Sequence, residues 1–326
     1  MEGRAARAAL DRARDAAATA LGAARTEVTF VSSGTEAVNL ALFGIGGPLL
    51  TWAAEHQSVL AAARRMQVLG CEVVIAPVDR AARVDPDAIQ PGVRLVSVGL
   101  ANNEVGTVQP VVQVIERAHD VGALVHVDAC AGPRWIPVPP GADLVSFSGH
   151  KLGAGRGGLL FVRDGVRIDP LLYGGPQEYG RRAGNEDVLA AAAVAAALQV
   201  TSARRASHAA DAERHSALLL DQLVELGGAP TGDRLRLPNF ATCAFGDRRG
   251  EDMLLALDLA GVAVSSGSAC ASGSLDPSHV LLAMGLDLPQ ALGSLRLTTG
   301  YATTDDEVAR AVHILRSVLS RTPTHA

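Results

Sequence analysis

The sequence predicts an α/β protein: a large domain with a mostly parallel sheet flanked by helices, followed by a smaller α+β C-terminal domain. Three observations carry this expectation. In the first half, short apolar runs rich in Val, Leu and Ile alternate with segments of helical period. The residues just after those runs are polar and small, as at the carboxyl ends of parallel strands, where α/β proteins hold their ligands. Beyond the turn at 227–233 (GGAPTGD) the elements become shorter and mixed.

Taken in order, residues 1–23 read as an amphipathic helix. The stretch is arginine-rich, but it carries Glu2, Asp11 and Asp15 and has no apolar h-region, so it reads as a helix rather than a signal peptide. Residues 27–31, 72–76, 95–100, 124–128 and 144–148 read as short buried strands. Between them, 36–42, 58–69 and 111–121 have helical period. Residues 157–163 (GGLLFVR), after a glycine-rich turn, form one more strand, with an antiparallel direction open to it. A long alanine-rich helix follows over 186–226, with a break expected near Thr201. The second half then offers strand-like pieces at 239–245, 261–265 and 294–298, and a helix at 251–259. A C-terminal helix over 304–319 is opened by Thr-Asp-Asp-Glu. At about 150 residues per domain, 326 residues suggest two domains, set here at 1–226 and 227–326, with the N-terminal helix free to pack on the small one.

Composition narrows the function. Apolar residues make up 48%, charged residues 19%, and the net charge is −5, which disfavours a disordered polyelectrolyte and a nucleic-acid partner. The longest bland stretch, 188–200, is too short to span a membrane, so a cytoplasmic protein without a membrane partner is expected. Cys71, Cys130, Cys243 and Cys270 lie far apart with no CxxC pair, which argues against a zinc cage or disulfide framework, and no metal site is expected. Cys71, Cys130 and Cys243 read as small buried hydrophobes. His119, His208 and His215 read as helix-surface residues.

Of the 29 basic residues, 28 are arginine and one, Lys151, is lysine. A G+C-rich codon bias explains the arginines and makes the surviving lysine informative. Arginine neither forms an imine with an aldehyde nor deprotonates near neutral pH, whereas a lysine amine does both.

The residues that follow the expected strands converge on one crevice. After the first come Ser32-Ser33-Gly34-Thr35-Glu36, a small-residue helix opening suited to a phosphate. After later strands come Asn102-Asn103-Glu104-Val105-Gly106, His126-Val127-Asp128 and Ser146-Phe147-Ser148-Gly149-His150-Lys151. A phosphate cradle, a strand-end aspartate, hydroxyls at Ser146 or Ser148 and a unique lysine are what pyridoxal phosphate requires. Lys151 would hold its aldehyde and then move the substrate Cα proton. Asp128 would face the pyridine nitrogen. Two unit charges about 4 Å apart at an effective dielectric near 20 attract by about 4 kcal/mol, roughly three pKa units toward the protonated ring. His126 stands two residues earlier, faces the same side and reads as a core histidine.

These segments resemble the NifS/IscS-like cysteine desulfurases, class-V aminotransferase-like enzymes of PLP fold type I. The motifs occur in order across nearly the whole chain: SSGTEAVNLAL, EHQSVL, NNEVGTVQP, HVDA, SFSGHKLGAGRGG, GGPQEYGRRAGNED, SSGSACASGSLDPSHVLLAMG and SLRLTTGYATTDDEV. The resemblance implies that 1–226 is the PLP-binding domain and that 227–326 carries a cysteine loop. It implies Lys151 as the Schiff-base lysine, Asp128 as the pyridine partner and His56 as the histidine stacked on the ring and a member of the catalytic set. Asn103 falls near substrate and ring oxygen, and Gly34, Thr35, Ser148 and His150 in the phosphate cup. Arg296 matches the arginine that clamps the substrate carboxylate, a bidentate task suited to its planar fork. Cys270 matches the nucleophile. It lies in Ser265-Ser266-Gly267-Ser268-Ala269-Cys270-Ala271-Ser272-Gly273-Ser274, a run with no bulky side chain and so expected to be mobile.

Three departures stand out. Ala131 replaces the family's glutamine three residues after the ring aspartate, and Asn185 replaces the threonine donated across the dimer to the phosphate, in the segment that also holds Arg182. The chain begins about where the first long helix should, without the family's Asp-Asn-Ala-Thr-Thr-Pro-like strand; a short N-terminus, a misassigned start or a partner supplying that segment are the readings open. The implied activity is PLP-dependent L-cysteine desulfuration, giving L-alanine and a Cys270 persulfide. A homodimer would pass the sulfur to an acceptor protein or small thiol. The alternatives are another class-V enzyme, such as a selenocysteine lyase or cysteine-conjugate C–S lyase, and a weakly catalytic PLP-fold partner subunit.

Overall fold

The computed structural model describes residues 2–267 and 276–321. Two compact units emerge. The first comprises 1–76, 85–100 and 109–205, the second 77–84, 101–108 and 206–326. A single cut at 226/227, as the sequence suggests, becomes an exchange inside one long helix together with two loops, 77–84 and 101–108, assigned to the second unit.

The first unit opens with α1 (Glu2–Leu21), whose buried residues Leu10, Ala13, Arg14, Ala17 and Ala18 recur at helical spacing. This helix packs within the first unit, where Arg14 donates to the carbonyl of Val28 at 2.6 Å and to Glu178. Strands β1 (Val28–Val31), β2 (Leu49–Trp52), β3 (Val73–Ala76), β4 (Leu95–Gly99), β5 (Leu124–Asp128), β6 (Leu144–Ser148) and β7 (Gly158–Val162) form one sheet in the order β1-β7-β6-β5-β4-β2-β3. Helices α2 (Gly34–Ile45), α3 (Gln57–Val68) and α4 (Val111–Asp120) connect them. The sheet is parallel except for β7, antiparallel to both β6 and β1. The reason is length: only residues 149–157 separate β6 from β7, too few for the crossover that a parallel return needs. Those residues hold the single-turn helix α5 (Gly149–Leu152). Leu40, Leu42 and Met66 of α2 and α3 pack with Leu95, Leu144 and Leu160 of the sheet in one core.

Helix α6 (Val188–Glu225) runs unbroken through the expected break at Thr201. Thr201 is buried there, and the few tenths of a kcal/mol by which threonine disfavours helix is small against that burial. The second unit adds the sheet β10-β9-β8, from β8 (Ala229–Pro230), β9 (Phe240–Ala244) and β10 (Ser294–Thr298), all antiparallel. Helices α7 (Gly250–Leu259), α8 (His279–Ala283), α9 (Leu288–Leu292) and α10 (Asp305–Leu319) accompany it. Its core joins Leu223, Cys243, Phe245, Leu257, Leu295 and Leu315.

Two local expectations are corrected, and one strand is new. Residues 261–265 form no strand: Val262 and Val264 pack on the core, and only Ser265 pairs, with Arg296. No element is expected from sequence at the four-residue β2, between Gly46-Gly47-Pro48 and the next helix, which pairs with both β3 and β4 inside the sheet. His215 is buried, with Nε2 2.7 Å from Asp305, because the face of α6 that carries it is covered. Among the described residues, no helix is long and apolar enough to cross a membrane.

Candidate active site

The first unit gathers its polar groups at the carboxyl edge of the parallel strands. At the end of β1, Ser33 caps α2, its Oγ accepting from Glu36 N at 3.2 Å, while Glu36 accepts from Ser32 N at 2.7 Å. The small residues are a steric requirement. A Cβ on Gly34 would lie 2.5 Å from the Cys130 sulfur and 2.9 Å from Ser148 Cβ, and one on Gly158 would lie 2.5 Å from the Ser33 carbonyl. The start of α2 is thus pressed against the ends of β6 and β7, with its first-turn N–H groups beside Ser148. Such a helix start attracts a phosphate through unpaired N–H groups and the positive dipole end.

Strand β6 ends in Ser148, whose Oγ lies 2.9 Å from His150 Nδ1. Lys151 follows in α5, exposed, one residue before Leu152, whose carbonyl accepts from Arg134. The amine is therefore carried by a single turn pinned at its C-terminal end.

Asp128 ends β5, paired in register with Gly99 of β4 and Ser146 of β6. Its Oδ1 accepts from Cys130 N at 2.9 Å and Ser146 Oγ at 3.2 Å. His126, on the same face, lies between Ser97 Oγ at 2.9 Å from Nδ1 and Ser146 Oγ at 3.1 Å from Nε2. Burial lowers the His126 pKa to about 4, so the imidazole is neutral. Glu55 accepts from Gly99 N at 3.0 Å, and burial, aided by the Asp128 charge, pushes its carboxyl up to about 8. Burial likewise raises the Cys130 thiol, and Asp128 adds to the effect. His56 caps α3, its Nδ1 accepting from Ser58 N at 3.1 Å, which leaves the neutral ring's proton on Nε2.

Arg182 donates from Nε to Glu36 at 3.0 Å. With Asn185, Arg156 and Ser32 it lines a cleft of about 240 Å³. In the second unit, Arg296 on β10 donates to the carbonyl of Asn103 at 2.8 Å, and its backbone pairs with Ser265. Asn102 is spent on the local turn, accepting from Glu104 N and Val105 N, while Asn103 is half-buried. Cys270 lies outside the described residues.

Gly34, Thr35, Asp128, Ser148, His150 and Lys151 thus share one sheet edge. Sequence reasoning missed Glu55, although its place beside His56 in a strand-end motif was a usable signal. It also passed over Cys130, which was read only as a small hydrophobe yet sets the clearance at Gly34. The residues present fit pyridoxal phosphate. The start of α2 with Ser148 offers a phosphate cradle already crowded to the last Cβ, Asp128 an acceptor for a pyridinium, and Lys151 an amine for an aldehyde.

The family model described as Aminotransferase class-V matches residues 2–311. A protein named cysteine desulfurase IscS from Dictyoglomus turgidum is 36% identical over 343 residues, covering 99% of this chain and 86% of that protein. Cysteine desulfurase IscS 1 from Archaeoglobus fulgidus is 37% identical over 336 residues, covering 97% and 87%. A solved structure titled NifS-like protein superposes with a TM-score of 0.90 at 30% identity, over 98% of this chain and 90% of the other. Motif order, sheet-edge chemistry and likeness agree over the length of the molecule: the chain belongs to the class-V aminotransferase family, in its NifS/IscS-like cysteine desulfurase branch.

Proposed function

We propose that this protein is a PLP-dependent L-cysteine desulfurase. The observation that carries the reading is the convergence of Asp128, Ser148 and Lys151, the chain's only lysine, with the start of α2 at one sheet edge. Bound pyridoxal phosphate supplies an electron sink that acidifies the substrate Cα–H and weakens the Cβ–S bond. Lys151 takes and returns the Cα proton. Asp128 accepts the hydrogen bond of the pyridinium, and His56 covers the ring face. Gly34, Thr35, Ser148 and His150 hold the phosphate, with Asn185 contributing from a second copy in a homodimer. Arg296 binds the substrate carboxylate and Asn103 orients the amino acid.

The Cys270 thiolate attacks the substrate sulfur. The new S–S bond forms as the Cβ–S bond breaks, so one thiol and one L-cysteine give one persulfide and one L-alanine. An acceptor protein or small thiol then takes the outer sulfur. A cytoplasmic setting suits that thiol chemistry, and Cys71, Cys130 and Cys243 are free.

The test is product analysis with L-cysteine and a reducing thiol. Equimolar alanine and sulfide are expected, and Cys270→Ser should abolish both while leaving the bound-cofactor spectrum intact, since a hydroxyl does not replace a thiolate on sulfur. Pyruvate and ammonia in place of alanine, or full turnover by Cys270→Ser, would overturn the reading in favour of a C–S lyase.

A further inference from the structure

A chain of hydrogen bonds crosses three strands behind the Asp128 carboxylate, and its proton order follows from chemistry. Ser146 has one hydroxyl proton, and that proton is donated to Asp128 Oδ1 at 3.2 Å. Toward His126 Nε2, 3.1 Å away, the same oxygen therefore accepts, so Nε2 carries the imidazole proton. A neutral imidazole then has a lone pair on Nδ1, which accepts from Ser97 Oγ at 2.9 Å. Ser97, His126 and Ser146 are fully buried and Asp128 nearly so, which leaves little water to replace a missing link. All three donors point the same way, toward Asp128. Cys130 N also donates to Oδ1.

We infer that His126 is a positioning residue for the cofactor ring: fixed as the Nε2–H tautomer between Ser97 and Ser146, it locks the Ser146 hydroxyl onto Oδ1 of Asp128 and holds the carboxylate in place for the pyridinium. The inference rests on the reading of Asp128 as the pyridine partner. Burial keeps the ring neutral near pH 7, so His126 works as a fixed dipole and not as a second charge. In an interior this dry, aligned hydrogen bonds strengthen one another, and the last of them ends on an anion.

The test is done without substrate, on full-length protein titrated with pyridoxal phosphate. His126→Leu is expected to weaken binding about five- to tenfold, the worth of roughly one hydrogen bond. It should also raise the pH midpoint of the bound cofactor's colour change, because a less positive ring holds its other proton more tightly. His126→Gln, which restores a donor, should stay within about twofold of wild type. On a Ser146→Ala background His126→Leu should cost nothing further, since the histidine acts through that hydroxyl.

Unchanged affinity and midpoint in His126→Leu would overturn the inference while leaving the proposed function standing, and so would losses that add on the Ser146→Ala background. Should His126→Leu not fold, Ser146→Ala decides: it must itself show the weakened binding and raised midpoint, and wild-type values there overturn the inference. Failure of the wild type to bind pyridoxal phosphate would overturn the proposed function itself.

Discussion

Lys151 is the only amine side chain in 326 residues, which turns its assignment into a clean chemical experiment. Borohydride treatment of the loaded protein should fix pyridoxal phosphate on one peptide, the one containing Lys151. Mass spectrometry checks this, and the same adduct in Lys151→Ala would refute it. Glu55 offers a second test at this scale. Its carboxyl lies near 4.5 in the unfolded chain and near 8 in the folded one, raised by burial and by Asp128. Between those values the folded protein holds a proton that the unfolded chain has released, so stability falls as pH rises through the window. Glu55→Gln removes that dependence. Urea unfolding of the apoprotein at about pH 5, 6.5 and 8 should show the variant gaining on wild type by up to a few kcal/mol as the pH climbs, with a gap that levels off above about pH 8.

The N-terminal element is held by one buried ion pair. Arg14 of α1 and Glu178 meet at 2.6 Å with side chains 4% and 1% exposed, and the guanidinium also stacks 5.1 Å from the rings of Phe30 and Tyr179. Glu178 further accepts from Phe30 N at 2.9 Å, so the pair ties α1 to β1. Removing one partner strands a charge where water does not reach. Arg14→Ala should lower the unfolding free energy by about 3–5 kcal/mol, read from denaturant melts, and Arg14→Lys should recover only part of it, because an ammonium lacks the two-pronged fork. Equal stability of Arg14→Ala and wild type would mean that α1 is not docked through this pair.

At the scale of the whole molecule, the proposed homodimer makes the departures from the family pattern measurable. Sedimentation should give a dimer, and dissociated chains should hold pyridoxal phosphate poorly. Asn185→Ala should loosen the cofactor. Ala131→Gln should tighten it by the worth of a hydrogen bond to a charged group, about 1.5–3 kcal/mol or roughly 10- to 150-fold in Kd, unless water already fills that place. A monomer with tight cofactor, indifferent to Asn185→Ala, would remove the second copy from the site. Among the described residues each unit closes an apolar core of its own, while Leu172, Tyr173 and Leu189 of the first unit stay exposed.

The sequence by itself determined the alternation of elements, the exact spans of β5 and β6, and the polar residues at the strand ends. These are local properties: side-chain period, small-residue helix openings and a unique amine are written in neighbouring positions. It did not reveal β2, because a four-residue run, Leu-Leu-Thr-Trp, between glycines and a helix carries too little periodicity to be told from a loop. Thr201 and residues 261–265 went the other way: burial outweighs weak local preference in one, and in the other only Ser265 pairs, with Arg296 of β10, so a β-rich composition yields a single bridge. Only the tertiary structure decided what His126, Ser97, Ser146 and Glu55 bond to. They belong to four separate segments, and a hydrogen bond between segments depends on sheet register. Register is a property of strands laid side by side, so it settled that a histidine with the sequence signature of a core residue stands in line with Asp128.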